Sequence, residues 1–250
     1  YILFTNILCA QEKRMKKLGL IGGTAWHSTI DYYAMINRII NERHGDNTNP
    51  LLRIISLNQR QIHDLQRTND WDAIADIFVE AALELQGVGV DGISLCANTP
   101  HKIFNQLDAA LSIPVLHIAD AIGASLKKDR LHTVGLIGTR FTMSEDFIKG
   151  RLLDRYQVKT IVPASANQNK IQDLLYNELS VGVFSNATKE YFLQVINSLA
   201  DEGAQAVILG CTEFPILLNG EHSPIPLIDT VKCHCEMLTQ YIMNVENPGS

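Results

Sequence analysis

The sequence predicts an α/β fold of two pseudo-symmetric lobes, each a mainly parallel sheet flanked by helices, with an active site in the cleft between them. Two observations carry this. Short apolar runs that end in glycine or polar turns alternate with longer segments of helical period, the pattern of βα units. One such unit also occurs twice: Leu85 to Thr99 (LQGVGVDGISLCANT) aligns without gaps with Leu199 to Glu213 (LADEGAQAVILGCTE), and Ile113-Pro114-Val115 is echoed by Ile225-Pro226-Leu227. A shorter match, Gly19-Leu20-Ile21-Gly22 with Gly135-Leu136-Ile137-Gly138, again runs a strand into a small-residue turn.

The expected strands are Leu18–Leu20, Leu51–Leu57, Gly92–Cys96, Val115–Ile118, Val134–Ile137, Thr160–Val162, Ala206–Leu209 and Pro226–Ile228. Ser28–Arg43, Asp70–Val88, Phe141–Asp154, Gln168–Leu179 and Thr188–Gly203 carry apolar residues at three- and four-residue spacings and read as helices. The expected division is an N-terminal lobe of residues 15–116 plus 228–250, a second lobe of 117–227, and an extension over 1–14. Parallel sheets bind ligands at the carboxyl ends of their strands, so the two repeated turns belong at the site.

With 250 residues, 46% hydrophobic and 19% charged, the composition is that of a globular chain. A net charge of −6 without a Lys/Arg cluster argues against a nucleic-acid partner, which needs concentrated positive charge. No apolar run is long enough to span a bilayer, so no membrane partner is expected. Ile2 to Ala10 reads either as an upstream extension before a natural start at Met15 or as the tail of a signal peptide. The expected compartment is accordingly the cytoplasm, or the periplasm if residues 1–10 are such a tail.

Five cysteines (Cys9, Cys96, Cys211, Cys233, Cys235) make an odd count that disfavours a disulfide framework and directs attention to single thiols. Cys211 follows the apolar run Val207-Ile208-Leu209 and precedes Thr212-Glu213, which puts it at a strand's carboxyl end. A thiol with a reference pKa of about 8.5 becomes a usable base where N–H groups or positive charge stabilise its thiolate. A lone cysteine is more often a small core hydrophobe, but the turn position and the repeat favour function here. Asn98-Thr99 and the matching Thr212-Glu213 offer amide, hydroxyl and turn N–H groups suited to a small carboxylate, although Asn and Thr are common in any turn.

Gly22-Gly23-Thr24 resembles half of a dinucleotide fingerprint but lacks the third glycine and the later acidic residue. It reads as a close-approach turn for a small anion. His63, His101 and His117 show no metal-ligand spacing and read as structural, and Cys233-His234-Cys235 on a late helix reads as packing.

Taken together, GLIGGTAWHSTIDYY, LCANTPHK, IPVLHIADA, GTRFTMSEDFIKGRL and GCTEFP resemble the aspartate/glutamate racemases, from Met15 to about Ile242. The resemblance implies a two-domain pseudo-symmetric fold, no pyridoxal phosphate, no metal, a small amino-acid substrate and a homodimer. It also implies a two-base mechanism in which one Cys or Thr removes the α-proton from one face and a second residue reprotonates the other. Thr24, Gln66, Asn98, Thr99 and Thr212 fall where the family holds substrate carboxylates, and Lys170 is a charge partner for a side-chain carboxylate. Gln66 and Lys170 also read as polar residues on solvated helix faces.

The sequence departs from this pattern at one position. The family's first catalytic residue immediately precedes the Asn-Thr pair, and here that residue is Ala97, which the repeat sets opposite Cys211, with Cys96 opposite Gly210. Adjacent strand residues face opposite sides, so Cys96 serves as the second acid/base only where the strand has already bent into its turn. Three outcomes are open at this stage. The chain is a racemase that recruits Cys96 or a water near Ala97, a single-thiol decarboxylase or isomerase, or a catalytically silent amino-acid or dicarboxylate binder. The racemase is favoured.

Overall fold

The computed structural model describes residues 14–218 and 223–244. The order is β1 (Leu18–Gly22), α1 (Trp26–His44), β2 (Leu52–Ser56), α2 (Gln59–Thr68), α3 (Trp71–Gly87), β3 (Gly92–Leu95), a 3-10 turn (Thr99–Ile103), α4 (Phe104–Ala110), β4 (Val115–Leu116) and α5 (Ile118–Lys128). The chain continues through β5 (Thr133–Gly138), α6 (Arg140–Ser144), α7 (Asp146–Tyr156), β6 (Lys159–Ile161), α8 (Ser165–Asn177), a second 3-10 turn (Leu179–Val181), α9 (Asn186–Asp201), β7 (Val207–Gly210), α10 (Phe214–Leu218), β8 (Leu227–Asp229) and α11 (Thr230–Ile242). Cys9 and the segment Ile2 to Ala10 lie outside the described residues.

The strands form two four-stranded, wholly parallel sheets of identical order, β2-β1-β3-β4 and β6-β5-β7-β8. Central strands β1, β3 and β7 are buried along their whole length, as helices on both faces require, and so read as continuous apolar runs. Edge strand β2 leaves three of its five residues exposed. The turn after β1 needs its glycines. Gly23 has φ +84°, and a Cβ on it would lie 2.2 Å from the Leu57 carbonyl oxygen.

Helix α3 covers one face of the first sheet, burying Ile74, Phe78 and Leu85 against Ile21, Ile93 and Leu95. Helices α1 and α11 cover the other, with Tyr32, Ile36, Cys235 and Leu238 against Leu18 and Leu20. In the second sheet α8 and α9 pack on Ile137, Val207 and Leu209, while α5 and α7 pack on Val134, Leu136 and Ile208. The last helix thus returns to the first sheet. β8 pairs with β7 through Asp229, and α11 starts at Thr230.

Each expected strand is present. Val115–Ile118 is cut to two residues because the His117 side chain accepts the Ala119 N–H at 3.0 Å and starts α5. The expected helix Phe141–Asp154 is broken at Glu145, which is extended (φ −100°, ψ 167°) and separates α6 from α7.

Three buried histidines sit where the chain passes between the lobes: His101 after β3, His117 before α5 and His234 on α11. The His101 ring lies 4.6 Å from that of His117 and 5.7 Å from that of His234. Main-chain partners fix their tautomers, since an amide only donates and a carbonyl only accepts. His101 Nε2 accepts from Ile118 N at 3.1 Å and leaves Nδ1–H to donate. His234 Nε2–H donates to the Leu116 carbonyl at 3.2 Å, and Nδ1 accepts the Tyr32 hydroxyl at 2.8 Å. Burial pushes His101 down to about 4 and pushes His117 and His234 below the usual imidazole range.

A histidine held neutral in the fold but free to protonate when unfolded costs stability as pH falls below its unfolded pKa of about 6.5, at about 1.4 kcal/mol per pH unit. Urea unfolding midpoints should therefore be level from pH 7 to 8 and fall steadily from about pH 6.5 toward pH 4, the His101 value in the fold. Level midpoints across that acid range would contradict the neutral assignment.

Candidate active site

The carboxyl ends of β3, β5, β7 and β8 are linked by side chains between the sheets. Asn98, just past β3, donates from Nδ2 to Thr230 Oγ1 at 3.0 Å, and that hydroxyl donates to the carbonyl of Leu209 in β7, also at 3.0 Å. Thr99 Oγ1 lies 3.1 Å from Thr139 Oγ1, at the end of β5, which also contacts Thr142 Oγ1 at 3.0 Å. At the rim the ring of His63 on α2 approaches Tyr176 on α8, with centroids 5.9 Å apart. Side chains of the turn after β3 thus reach the end of β5 directly and the end of β7 through Thr230.

Cys211 is partly exposed at the end of β7. Its thiol donates to Glu213 Oε2 at 2.9 Å, and the same oxygen accepts the Thr212 hydroxyl at 3.0 Å. Burial pushes the Cys211 thiol well above its usual range. The Glu213 carboxylate pushes it further, against the opposing pull of the Glu213 and Thr212 backbone N–H groups. In this state Cys211 is protonated, with its thiol aimed at the Glu213 carboxylate. Burial also raises Asp31 on α1, helped by Asp229 and Glu213, which places negative charge at this edge of the site.

Asn98 is 5% exposed, and its Oδ1 is a buried acceptor with no partner. Such an atom is costly unless a ligand donor satisfies it, and an ammonium group is suited to do so. Thr24 and Gln66 are buried too, Thr24 in the turn after β1 and Gln66 on α2. Burial pushes His63 below the usual imidazole range, against a hydrogen bond to the Thr24 backbone.

Ala97 is partly exposed at the position equivalent to Cys211 and carries only a methyl group. Cys96 does not replace it. Its side chain is 2% exposed in the apolar layer with Leu18, Leu20, Tyr32 and Cys235, and its carbonyl is held by Ser28 Oγ at 2.6 Å. β3 ends at Leu95 and the chain bends at Cys96, yet the thiol packs into the apolar layer beneath α1 and α11, and burial raises its pKa.

Lys170 is exposed on α8, with Nζ 3.9 Å from the Tyr191 ring centroid, so its charge is engaged by an aromatic face. In the Gly22-Gly23-Thr24 turn, the Gly23 N–H donates to Thr29 Oγ1 at 2.9 Å. The triplet Cys233-His234-Cys235 is dispersed around α11, with His234 bonded to Tyr32 and Cys235 in the core. Among the described residues, no group of three His, Cys, Asp or Glu side chains is placed to hold a metal ion, and no helix is long and apolar enough to cross a membrane.

Sequence reasoning missed Glu213 as the thiol's partner, although the repeat aligned it with Thr99. Thr139 was also recoverable, because the shorter glycine match ends one residue before it. Thr230 had no such signal, since only the fold brings the start of α11 to Asn98. A cavity of about 360 Å³ opens behind the β3 turn, against His101, Lys102, Phe104, His117 and Arg151, away from Cys211. Its cations are paired: Lys102 with Glu145 at 2.6 Å, and Arg151 with Asp120 at 2.7 Å.

The profile of the Asp/Glu/Hydantoin racemase family matches residues 21–238. The chain is 26% identical over 184 residues to the broad specificity amino-acid racemase RacX of Bacillus subtilis (strain 168), covering 67% of this chain and 71% of that protein. A solved structure of a candidate Asp/Glu racemase from Yersinia pestis superposes with a TM-score of 0.87 at 35% identity, over 92% of this chain and 100% of the other. An aspartate racemase homologue from Pyrococcus horikoshii OT3 gives 0.78 at 30% identity, over 90% and 98%.

The Cys211–Glu213 pair makes a direct prediction. Glu213→Gln removes the carboxylate that raises the thiol, so alkylation of Cys211 by iodoacetamide at pH 8, followed by mass spectrometry of its peptide, should accelerate several-fold. Unchanged or slower alkylation would mean that Glu213 does not control the thiol.

Proposed function

Because the chain belongs to the Asp/Glu/Hydantoin racemase family, we propose that it is a cofactor-independent amino-acid racemase, acting on aspartate or glutamate or with broader specificity, in which Cys211 transfers the α-proton on one face. The observation that carries this reading is the Cys211 thiol hydrogen-bonded to Glu213 at 2.9 Å, across from a turn whose Asn98 Oδ1 awaits a donor.

The substrate ammonium bonds Asn98 Oδ1, and its carboxylate is held by hydroxyl and main-chain donors of the Thr99 and Thr212 turns. An α-proton beside a carboxylate is a very weak acid, so these donors act by stabilising the charge that develops as the proton leaves. With Glu213 as the immediate acceptor, the Cys211 sulfur cycles between thiol and thiolate on one face. On the other face the Ala97 methyl leaves space for a water, a weaker acid/base than a thiol, so racemisation is slow. The amino acids turned over by the relatives support an amino-acid substrate without choosing among side chains. The protein acts in solution as a homodimer.

Ala97 also favours a second reading. A site with a single protonating thiol suits a decarboxylase of the same superfamily, in which loss of carbon dioxide forms the carbanion and Cys211 protonates it.

Cys211→Ser should reduce conversion of L- to D-aspartate or glutamate at least about a hundredfold, following the scale of general acid/base catalysis, with the melting temperature nearly unchanged. Ala97→Thr should raise the racemisation rate by restoring an acid/base on the second face. Chiral chromatography measures both. Normal turnover by Cys211→Ser would remove Cys211 from the mechanism, and an Ala97→Thr variant no faster than the parent would contradict the two-face geometry.

A further inference from the structure

We infer that His101 is a positioning residue for the substrate turn, tying the Ala97 and Asn98 carbonyls of the first lobe to the opening turn of α5 in the second. The inference rests on reading that turn as the holder of the substrate's ammonium and carboxylate groups.

The turn after β3 leaves the sheet at Cys96 and presents Asn98 and Thr99 to the cleft. His101 Nδ1 lies 3.0 Å from the Ala97 carbonyl oxygen and 3.1 Å from that of Asn98, so a single N–H bridges the two residues that precede the 3-10 turn. The other ring nitrogen accepts the N–H of Ile118, the first residue of α5, at 3.1 Å. That N–H is one of the four a helix start leaves without an internal partner. The body of α5 belongs to the second lobe's core, where Ile118 and Ile122 pack with Val134 and Leu136. One imidazole therefore binds the substrate turn with one nitrogen and a helix of the opposite lobe with the other.

The ring is well placed to transmit position. It is 1% exposed and flanked by the rings of His117 and His234. Both bonds require the neutral Nδ1–H form, which burial favours. A side chain that only filled space would not need both nitrogens, and the two functions separate in amide substitutes. Asn carries a donor near the Nδ1 position, and Gln carries an acceptor near the Nε2 position.

The test compares His101→Asn and His101→Gln. If the link positions the turn, each variant loses one half of it. KM for the amino acid rises about tenfold in both, the effect of one hydrogen bond, while kcat changes by less than about threefold. Hydrogen exchange at the Ile118 amide accelerates in His101→Asn and stays slow in His101→Gln. An unchanged KM in either variant, or a fall in kcat at constant KM, overturns the inference. Should either variant fail to fold, nitrogen NMR of the unsubstituted protein decides the question: a single Nδ1–H tautomer supports the link, and the Nε2–H tautomer or a mixture refutes it. If the unsubstituted protein turns over no amino acid, the racemase reading fails, while the tautomer and the Ile118 amide still decide the link.

Discussion

The site depends on one buried chain of hydrogen bonds, from the Asn98 amide to the Thr230 hydroxyl and on to the Leu209 carbonyl. It ties the turn after β3 in the first sheet to β7 in the second through the residue at which the chain turns back into α11. Parallel strands bring all their carboxyl ends to one edge of a sheet. Two such edges make a site only when something holds them face to face. The Asn98 chain and the contact between Thr99 and Thr139 do this at the centre, the three histidines do it behind, and His63 with Tyr176 does it at the rim.

Within this symmetric frame the chemistry is asymmetric. Both halves supply a strand end, a polar turn and donors, but only the second supplies a thiol. Its partner is a carboxylate two residues on in the same turn, so donor and acceptor are positioned by a few bonds of main chain rather than by lobe closure. Glu213 favours the protonated form of Cys211, and the backbone N–H groups of Thr212 and Glu213 pull the other way. In the half with Ala97, Asn98 has an unfilled acceptor and the Thr99 hydroxyl reaches Thr139 of the other lobe.

Much of this was legible in the sequence because sheet burial writes itself into composition. β1, β3, β5 and β7 are apolar runs since helices cover both faces, and the repeat of Leu85–Thr99 in Leu199–Glu213 gave the pairing of the two site turns. Alternation also argued that Cys96 faces away, and its side chain lies buried with Leu18, Leu20 and Cys235. Helix α2 was invisible because it is polar apart from Ile62 and Leu65 and is started by the Asn58 side chain, which accepts from Arg60 and Gln61. Helix α5 was hidden because Val115 to Ile118 reads as one strand until His117 caps the next element. Long-range partners left no local pattern. Neither the bond from Thr230 to Leu209 nor the contact of Lys170 with Tyr191 follows from spacing along the chain.

The central claim is that the Cys211 thiol exchanges a proton with the α-carbon of an amino acid. Proton NMR in deuterated buffer reads this directly, with L- and D-aspartate, L- and D-glutamate and neutral amino acids supplied in turn. The account predicts loss of the α-proton signal for at least one of them, together with appearance of the opposite enantiomer. Full retention of the α-proton in every amino acid would contradict it.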